Sequence, residues 1–214
     1  MKENCKCVLF DLDGTLLDTG AGIMISVAWT LEQLGCPPAD RQALRKFVGP
    51  PIRVGFLNYG LPREKLGQAM ELCVGRYRGV EKWNARPYPG MDTLLKRLRA
   101  EGFSLYVATS KPETLAVEIL EKFGLAGFFT IICGADWSQS RDTKDSVIRY
   151  LLEQVPEGAR LVMVGDTVFD VTGAAAHGIP AIGVAWGYGD PEELRQAGAL
   201  AIAATPEALP GLLK

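Results

Sequence analysis

Short apolar segments that alternate with amphipathic segments constrain the fold of this chain more than any other feature. The apolar runs lie at residues 7–10, 104–108, 128–132, 161–164, 181–184 and 200–203. Between most of them, apolar residues recur at helical spacing, as in Met91, Leu94, Leu95 and Leu98. This alternation predicts βαβ units with right-handed crossovers. We therefore expect an α/β fold with a doubly wound, mostly parallel, Rossmann-like sheet.

A long stretch without a convincing strand interrupts the alternation. From residue 17 to residue 83 the apolar pattern is helical, and residues 87–90 are rich in proline and glycine where the sheet pattern resumes. We predict a catalytic core formed by residues 1–16 and 84–214 and an inserted α-helical cap domain formed by residues 17–83. An insertion directly after the first strand is placed to act as a lid, although a helical decoration without function is the alternative.

Composition excludes several classes of function. The chain has 214 residues, of which 48% are hydrophobic and 22% charged, and its net charge is −2. These values are typical of a globular protein, and without a basic stripe we expect no nucleic-acid partner. No apolar run has membrane-spanning length and the N-terminus is unlike a secretory signal, so we expect no membrane association. No protein partner can be inferred.

The cysteines indicate a reducing compartment. They are scattered and odd in number: Cys5, Cys7, Cys36, Cys73 and Cys133. This pattern predicts reduced thiols and a cytoplasmic protein.

Two aspartates follow the first apolar run directly, in the segment Asp11-Leu12-Asp13-Gly14-Thr15. A buried strand that ends in two carboxylates places them at the carboxyl edge of the sheet, where open α/β folds keep their sites. Two acids this close repel each other unless a cation lies between them, and Mg²⁺ is the usual one. The segment indicates a carboxylate nucleophile, a second carboxylate for proton transfer and a metal. Ordinary turn chemistry is the alternative.

Hydroxyl groups follow a second strand, in Thr109-Ser110-Lys111. A hydroxyl and free backbone N–H groups at the start of a helix bind a phosphate oxygen well. Helix capping explains the same residues and is favoured when this segment is taken alone.

A lysine, Lys144, stands at the start of a predicted helix. A cation there opposes the helix dipole, which indicates another task such as neutralising a carboxylate or a phosphate. A solvated lysine is the alternative.

Two further acids, Asp166 and Asp170, follow the strand at residues 161–164. They are four residues apart, so they share one side of a helical turn, and together they suit a Mg²⁺ site. Helix N-capping by Asp166 is the alternative.

Taken together, these residues resemble the motifs of the haloacid dehalogenase superfamily of phosphatases, over essentially the whole chain. The segment that begins at Asp11 matches the first motif, Thr109 the second, Lys144 the third, and Asp166 with Asp170 the fourth. The insertion looks like the small α-helical cap of that family. The segments at residues 49–51 and 183–189 are similar to the phosphoglycolate phosphatase and 5′-nucleotidase-like branch.

The resemblance implies a role for each residue. Asp11 would attack phosphorus, and Asp13 would act as acid and then as base. Mg²⁺ would be held by the Asp11 carboxylate, the Asp13 backbone carbonyl and Asp166, with Asp170 supporting its water ligands. The phosphoryl group would be bound by Asp11, Gly14, Thr109, Ser110 and Lys144.

We therefore expect a Mg²⁺-dependent phosphatase that hydrolyses a small phosphorylated metabolite through an aspartyl-phosphate. The cap is expected to recognise the leaving group, which would be anionic or hydroxylated, through Gly49, Pro50, Arg53 and Arg78. A solvated helix face is the alternative for both arginines and is favoured for either one taken alone. A β-phosphoglucomutase-like phosphomutase uses the same residues and stays an alternative. So does a phosphoacceptor signalling domain, although Asp13 and the cap argue against it.

Overall fold

A parallel β-sheet forms the centre of the computed structural model, which describes residues 6–138 and 140–213. The strands in these residues are β1 (Lys6–Phe10), β2 (Leu17–Asp18), β3 (Arg86–Pro87), β4 (Ser104–Pro112), β5 (Ile131–Ala135), β6 (Arg160–Gly165), β7 (Ala181–Val184) and β8 (Ala201–Ala203). Six of them form the main sheet in the order β5-β4-β1-β6-β7-β8, and all of its neighbouring pairs are parallel.

Helices connect the strands. The α-helices in the described residues are α1 (Gly20–Gln33), α2 (Arg41–Arg45), α3 (Ile52–Tyr59), α4 (Leu66–Gly79), α5 (Met91–Ala100), α6 (Glu113–Lys122), α7 (Lys144–Leu152), α8 (Val168–Ala175), α9 (Pro191–Gln196) and α10 (Leu209–Leu212). The expected doubly wound α/β architecture is confirmed.

The central strand β1 separates two hydrophobic cores because its side chains alternate between the faces of the sheet. Val8 and Phe10 join the cluster that includes residues of α5, α6 and α10. Cys7 and Leu9 join the cluster that includes residues of α7, α8 and α9. Burial on both faces explains why this strand reads as a continuous apolar run rather than an alternating one.

The register of β1 decides where the following residues lie. Phe10 pairs with Val107 of β4 on one side and with Val164 of β6 on the other. The residues that follow these three positions therefore emerge together at the carboxyl edge of the sheet. The strand order reverses at β1, which opens a crevice there of the kind that holds ligands in open α/β sheets.

The four helices α1 to α4 pack around a hydrophobic cluster of their own. Its buried members are Val27, Leu31, Leu34, Phe47, Phe56, Leu61, Leu66, Ala69 and Cys73. A separate cluster is what an inserted helical cap requires, and the boundaries at residues 17 and 83 stay a prediction.

Two details of the strands differ from the sequence-based expectation. The stretch predicted to lack strands begins with β2, which pairs antiparallel with β3 and forms a two-residue ribbon at the base of the insertion. Such a strand is too short to leave an apolar run. Strand β5 begins at Ile131, not at residue 128, because Phe128 and Phe129 pack against the core from the connection that precedes it.

Two further expectations concern membrane-spanning helices and the state of the cysteines. None of the helices in the described residues is long and apolar enough to cross a membrane. Cys36, Cys73 and Cys133 are free thiols, whereas Cys5 lies outside the described residues. The cytoplasmic compartment stays a prediction.

Candidate active site

Four buried charged side chains meet where β1 and β6 end. Lys144, the first residue of α7, places its Nζ 2.8 Å from Asp11 Oδ1 and 2.7 Å from Asp170 Oδ1. The same Nζ donates a hydrogen bond to the Ala108 carbonyl at 2.8 Å. Asp166 completes the group, because one ligand oxygen from each of the three aspartates can lie within 4.8 Å of the others. We call Asp11, Asp166 and Asp170 the acidic cluster.

Burial dominates the electrostatics of the acidic cluster. Burial and the neighbouring Asp170 raise the pKa of Asp11 well above its ordinary value. The same two causes raise the pKa of Asp166 to about 7. Burial opposes the charge of Lys144, yet Asp11 and Asp170 raise its pKa to about 12. A single ammonium group therefore shares a buried space with three acids, which favours the binding of a further cation.

The protein backbone and two hydroxyl groups orient the acidic cluster. Asp166 accepts hydrogen bonds from the Tyr188 backbone N–H at 2.8 Å and from Thr15 Oγ1 at 3.2 Å. Asp170 Oδ2 accepts from both the backbone N–H and Oγ1 of Thr167, each at 2.9 Å. Since its other oxygen contacts Lys144, Asp170 is occupied by protein partners on both sides.

Glycines leave room for the acidic cluster. A Cβ atom at Gly14, whose φ is +82°, would overlap Asp166 Oδ2. A Cβ atom at Gly187 would overlap the same carboxylate. The backbone can approach Asp166 this closely only because both residues lack a side chain.

The Asp13 carboxylate has partners other than those of the acidic cluster. It forms a two-oxygen ion pair with Lys111, whose Nζ lies 2.9 Å from Oδ1 and 2.8 Å from Oδ2. Thr19 Oγ1 donates to Asp13 Oδ1 at 2.6 Å. Burial alone would lower the pKa of Lys111, but Asp13 raises it above its ordinary value. The structure thus gives the two acids of the first motif separate lysines, Lys144 for Asp11 and Lys111 for Asp13.

Thr109 and Ser110 lie within β4 and line the same cavity as both acids. Thr109 is 1% exposed, and its Oγ1 accepts from the Lys111 backbone N–H at 3.2 Å. Ser110 Oγ is buried and has no hydrogen-bond partner among the described residues. A buried hydroxyl without a partner is available to a ligand oxygen.

The structure excludes the capping and solvation alternatives left open by the sequence. Thr167, not Asp166, caps α8, and Asp170 completes its capping box. Thr109 and Ser110 do not open a helix, because β4 continues to Pro112 through an irregularity in its pairing. Lys144 is not solvated, since only 4% of it is exposed.

A cavity of about 310 Å³ extends from Asp11 and Asp13 towards the helical insertion. Three of the four predicted cap residues, Gly49, Pro50 and Arg53, line it. The fourth, Arg78, is not among the described residues of the cavity wall. Its guanidinium instead lies 4.8 Å from the centroid of the Trp137 ring, which does line the cavity.

The helical insertion contacts the catalytic core beside the site. Tyr77 of α4 places its ring 4.6 Å from Lys111 Nζ, a cation–π distance. A Cβ atom at Gly49 would overlap the methyl group of Thr167. Arg45 of α2 donates to the Gly187 carbonyl at 3.1 Å. These contacts couple the position of the insertion to residues that orient Asp13, Asp166 and Asp170.

Sequence reasoning missed several residues that orient the site. Lys111 lies next to a predicted phosphate-binding segment, and its sequence neighbours were the only available signal. The sequence gives no signal for Thr19 or Tyr77, since a threonine before a helix and a tyrosine on an apolar helix face are common in proteins without a functional role. Tyr188 and Gly187 belong to the segment at residues 183–189, for which the sequence indicated no role in the site, yet they form a wall around Asp166.

Fold and site together define an α/β enzyme whose acidic sheet edge is covered by a helical insertion. The family model described as haloacid dehalogenase-like hydrolase matches residues 8–184. The chain therefore belongs to the haloacid dehalogenase-like hydrolase family.

The chain is similar to named proteins over most of its length. The chain is 37% identical over 190 residues to a 5′-nucleotidase of Pseudomonas aeruginosa, covering 88% of this chain and 86% of that protein. It is 33% identical over 189 residues to a phosphoglycolate phosphatase of Agrobacterium fabrum, covering 85% and 81%. It is 40% identical over 192 residues to the tyrosine-protein kinase PtkA of Mycobacterium tuberculosis, covering 87% of this chain but 64% of that protein.

A solved structure gives the same result for the fold. The crystal structure of a predicted phosphatase from Clostridium acetobutylicum superposes with a TM-score of 0.93 at 36% identity, covering 99% of both chains. The predicted family resemblance, the fold class and the phosphatase class of enzyme are thereby confirmed. The roles of individual residues stay predictions.

Because the ion pair between Lys111 and Asp13 is buried, breaking it should measurably lower the free energy of unfolding. Replacing Lys111 with Met leaves Asp13 without its cation, and we expect a loss of about 3–5 kcal/mol in the free energy of unfolding. The double variant Asp13→Leu with Lys111→Met should recover most of this loss, because no unpaired charge remains. Urea denaturation followed by circular dichroism measures both.

The matched control is an exposed pair. Arg149 contacts Asp145 at 2.9 Å with 68% of its side chain exposed, and Arg149→Met should cost less than about 1 kcal/mol. A double variant as unstable as Lys111→Met alone would show that the charge of Asp13 is not what Lys111 balances.

Proposed function

We propose that the protein is a Mg²⁺-dependent phosphatase that hydrolyses a small phosphorylated metabolite through an aspartyl-phosphate on Asp11. One observation carries this proposal: Asp11 and Asp13 line the same cavity, and each contacts its own buried lysine. A carboxylate nucleophile and a carboxyl group for proton transfer that face one ligand space are suited to hydrolysis of a phosphate ester.

The relatives support a phosphatase over the alternatives left open by the motifs. The names 5′-nucleotidase and phosphoglycolate phosphatase denote hydrolysis of phosphate esters, and this chain covers most of both proteins. The kinase name belongs to a protein of which this chain spans 64%. Neither a phosphomutase nor a phosphoacceptor domain is favoured by these names.

The acidic cluster fits a hard divalent cation. Its three buried carboxylates have only Lys144 as a neutralising partner among the described side chains. Gly14 and Gly187 add no side chain to the space around Asp166. Asp11 and Asp166, with the Asp13 carbonyl, would hold Mg²⁺, and Asp170 would support its water ligands. When bound, Mg²⁺ would supply positive charge for the phosphoryl oxygens.

In the first proposed step, a carboxylate oxygen of Asp11 attacks phosphorus. The bond between phosphorus and the ester oxygen breaks, and Asp13 gives a proton to the leaving oxygen. In the structure, Lys111 Nζ lies 2.8 Å from Asp13 Oδ2. A bound phosphate dianion adds negative charge beside both groups, which attracts Lys111 and favours the protonated form of Asp13.

In the second step, water attacks the aspartyl-phosphate. Asp13, now a carboxylate, accepts a proton from this water, and the bond between phosphorus and Asp11 breaks. Inorganic phosphate and the original Asp11 carboxylate result. Thr109, Ser110 and Lys144 are proposed to hold the phosphoryl oxygens in both steps, since positioning and charge neutralisation dominate phosphoryl transfer.

Replacing the proposed nucleophile tests this function directly. Asp11→Asn keeps the shape of the side chain but removes its negative charge, so we expect phosphate release from p-nitrophenyl phosphate with Mg²⁺ to fall on the order of 10³-fold or more. Asp92→Asn, a change at an exposed acid of α5, should keep wild-type turnover.

The same assay tests whether phosphate release requires a metal ion. EDTA should stop phosphate release by the wild type and excess Mg²⁺ should restore it, while Ca²⁺ should restore it poorly because it prefers more ligands and a looser geometry. Wild-type turnover in Asp11→Asn would disprove the nucleophile, and undiminished activity in EDTA would disprove the metal. A stoichiometric phosphoprotein without sustained release would instead indicate a phosphoacceptor.

Leaving-group chemistry tests the role of Asp13. A poor leaving group needs a proton, so Asp13→Asn should lower kcat for an alkyl phosphate by about 10²–10⁴-fold and lower it less for p-nitrophenyl phosphate. Phosphoenzyme should accumulate with the activated ester, because activation of water also fails. Acid-quenched samples analysed by mass spectrometry detect it. Equal losses on both esters without trapped phosphoenzyme would assign Asp13 a purely structural role.

A further inference from the structure

The wall of the cavity contributed by the helical insertion is largely apolar. Its members from the insertion include Ile23, Phe47, Ile52, Met70, Val74 and Tyr77. Leu115 and Trp137 of the core line the same space. The volume of about 310 Å³ is on the order of ten water molecules at ~30 Å³ each. A leaving group of two or three atoms would leave most of this apolar surface in contact with water.

The charged residues of the wall disfavour an anion. Apart from the proposed catalytic residues and their lysines, Glu71, Asp136 and Asp142 are acidic, whereas Arg53 is the basic residue of the described wall. Hydrogen bonds from Ser140 and Ser138 lower the pKa of Asp136, so it stays ionised. Lys111 also lines the cavity, but both oxygens of Asp13 already contact it.

Among the described residues, few uncharged polar groups face the cavity away from its phosphate end. Ser26 Oγ lies in the wall but donates its hydrogen to the Gly22 carbonyl at 2.9 Å. The Cys73 thiol is buried, which raises its pKa to about 12 and keeps it neutral. The unpartnered Ser110 hydroxyl lies at the phosphate end. The remainder of the cavity therefore offers contact area rather than directional bonds.

We infer that the leaving group of the substrate is an uncharged alcohol with an apolar body about the size of an aromatic ring. The phosphate ester of a carboxylated alcohol such as glycolate is then a poor substrate. This inference rests on the proposed function, because it concerns the ester that the same site hydrolyses. Burial of the apolar body against α3 and α4 supplies binding energy, while Glu71, Asp136 and Asp142 repel a second anionic group.

A matched pair of esters tests the inference. Benzyl phosphate and 4-carboxybenzyl phosphate share a ring and an ester bond but differ by one negative charge. We expect kcat/KM for benzyl phosphate to exceed that for the carboxylated ester and for 2-phosphoglycolate by at least about ten-fold. Acetyl phosphate, a small activated substrate, reports on the phosphoryl chemistry independently of the apolar wall.

Charge reversal in the wall tests the cause of the preference. Glu71 is exposed on α4. Glu71→Lys should lower the ratio of kcat/KM for benzyl phosphate to kcat/KM for 4-carboxybenzyl phosphate at least about five-fold. Glu64→Lys, at an exposed acid of the insertion that is not among the described wall residues, should leave the ratio unchanged.

The outcomes separate the inference from the proposed function. Hydrolysis of acetyl phosphate together with equal or better use of 2-phosphoglycolate would overturn the inference and leave the phosphatase standing. An unchanged ratio in Glu71→Lys would also overturn it, since charge would then not discriminate between the esters. Failure to hydrolyse any of these phosphorylated compounds, acetyl phosphate included, would contradict the phosphatase itself.

Discussion

The contact of Lys144 with Asp11 and Asp170 is the interaction on which the rest of the site depends. Its ammonium group lies between two carboxylates, with a third, Asp166, in the same buried space. Burying a charge without a partner is costly, and one lysine cannot neutralise three acids. The proposed Mg²⁺ would balance the remaining charge. The same cation would prepare the site for an incoming phosphate, whose negative charge the acids alone would repel.

A second buried ion pair gives the proposed proton-transfer group, Asp13, a partner different from that of the proposed nucleophile, Asp11. Asp13 contacts Lys111 and Thr19, whereas Asp11 contacts Lys144, although the two acids are only two residues apart. Separate partners give the two carboxyl groups different environments, which is how one short segment can supply both a nucleophile and an acid. The helical insertion contacts this ion pair through Tyr77, because the Tyr77 ring packs on Lys111. The proposed substrate recognition by the insertion and the proposed proton transfer by Asp13 would therefore take place side by side.

The sequence was sufficient to predict the sheet, the insertion and the residues that follow each central strand. It succeeded because apolar runs mark strands buried on both faces, and because parallel strands end at the same edge of the sheet. It could not predict partners that come from distant segments, such as Thr19 on Asp13 or the Tyr188 backbone on Asp166. Nor could it show that the Arg78 side chain packs on Trp137 of the cavity wall, because helical periodicity does not say which neighbour a long side chain meets.

Titration of Mg²⁺ by isothermal calorimetry, without any substrate, tests the central claim most directly. If the acidic cluster needs a divalent cation to balance its charge, metal-free wild-type protein binds Mg²⁺ at a single site. Asp166→Asn, which removes one buried charge and one proposed ligand, binds it far more weakly. Wild-type protein that binds no Mg²⁺, or an Asp166→Asn variant that binds it as tightly as the wild type, would contradict the account.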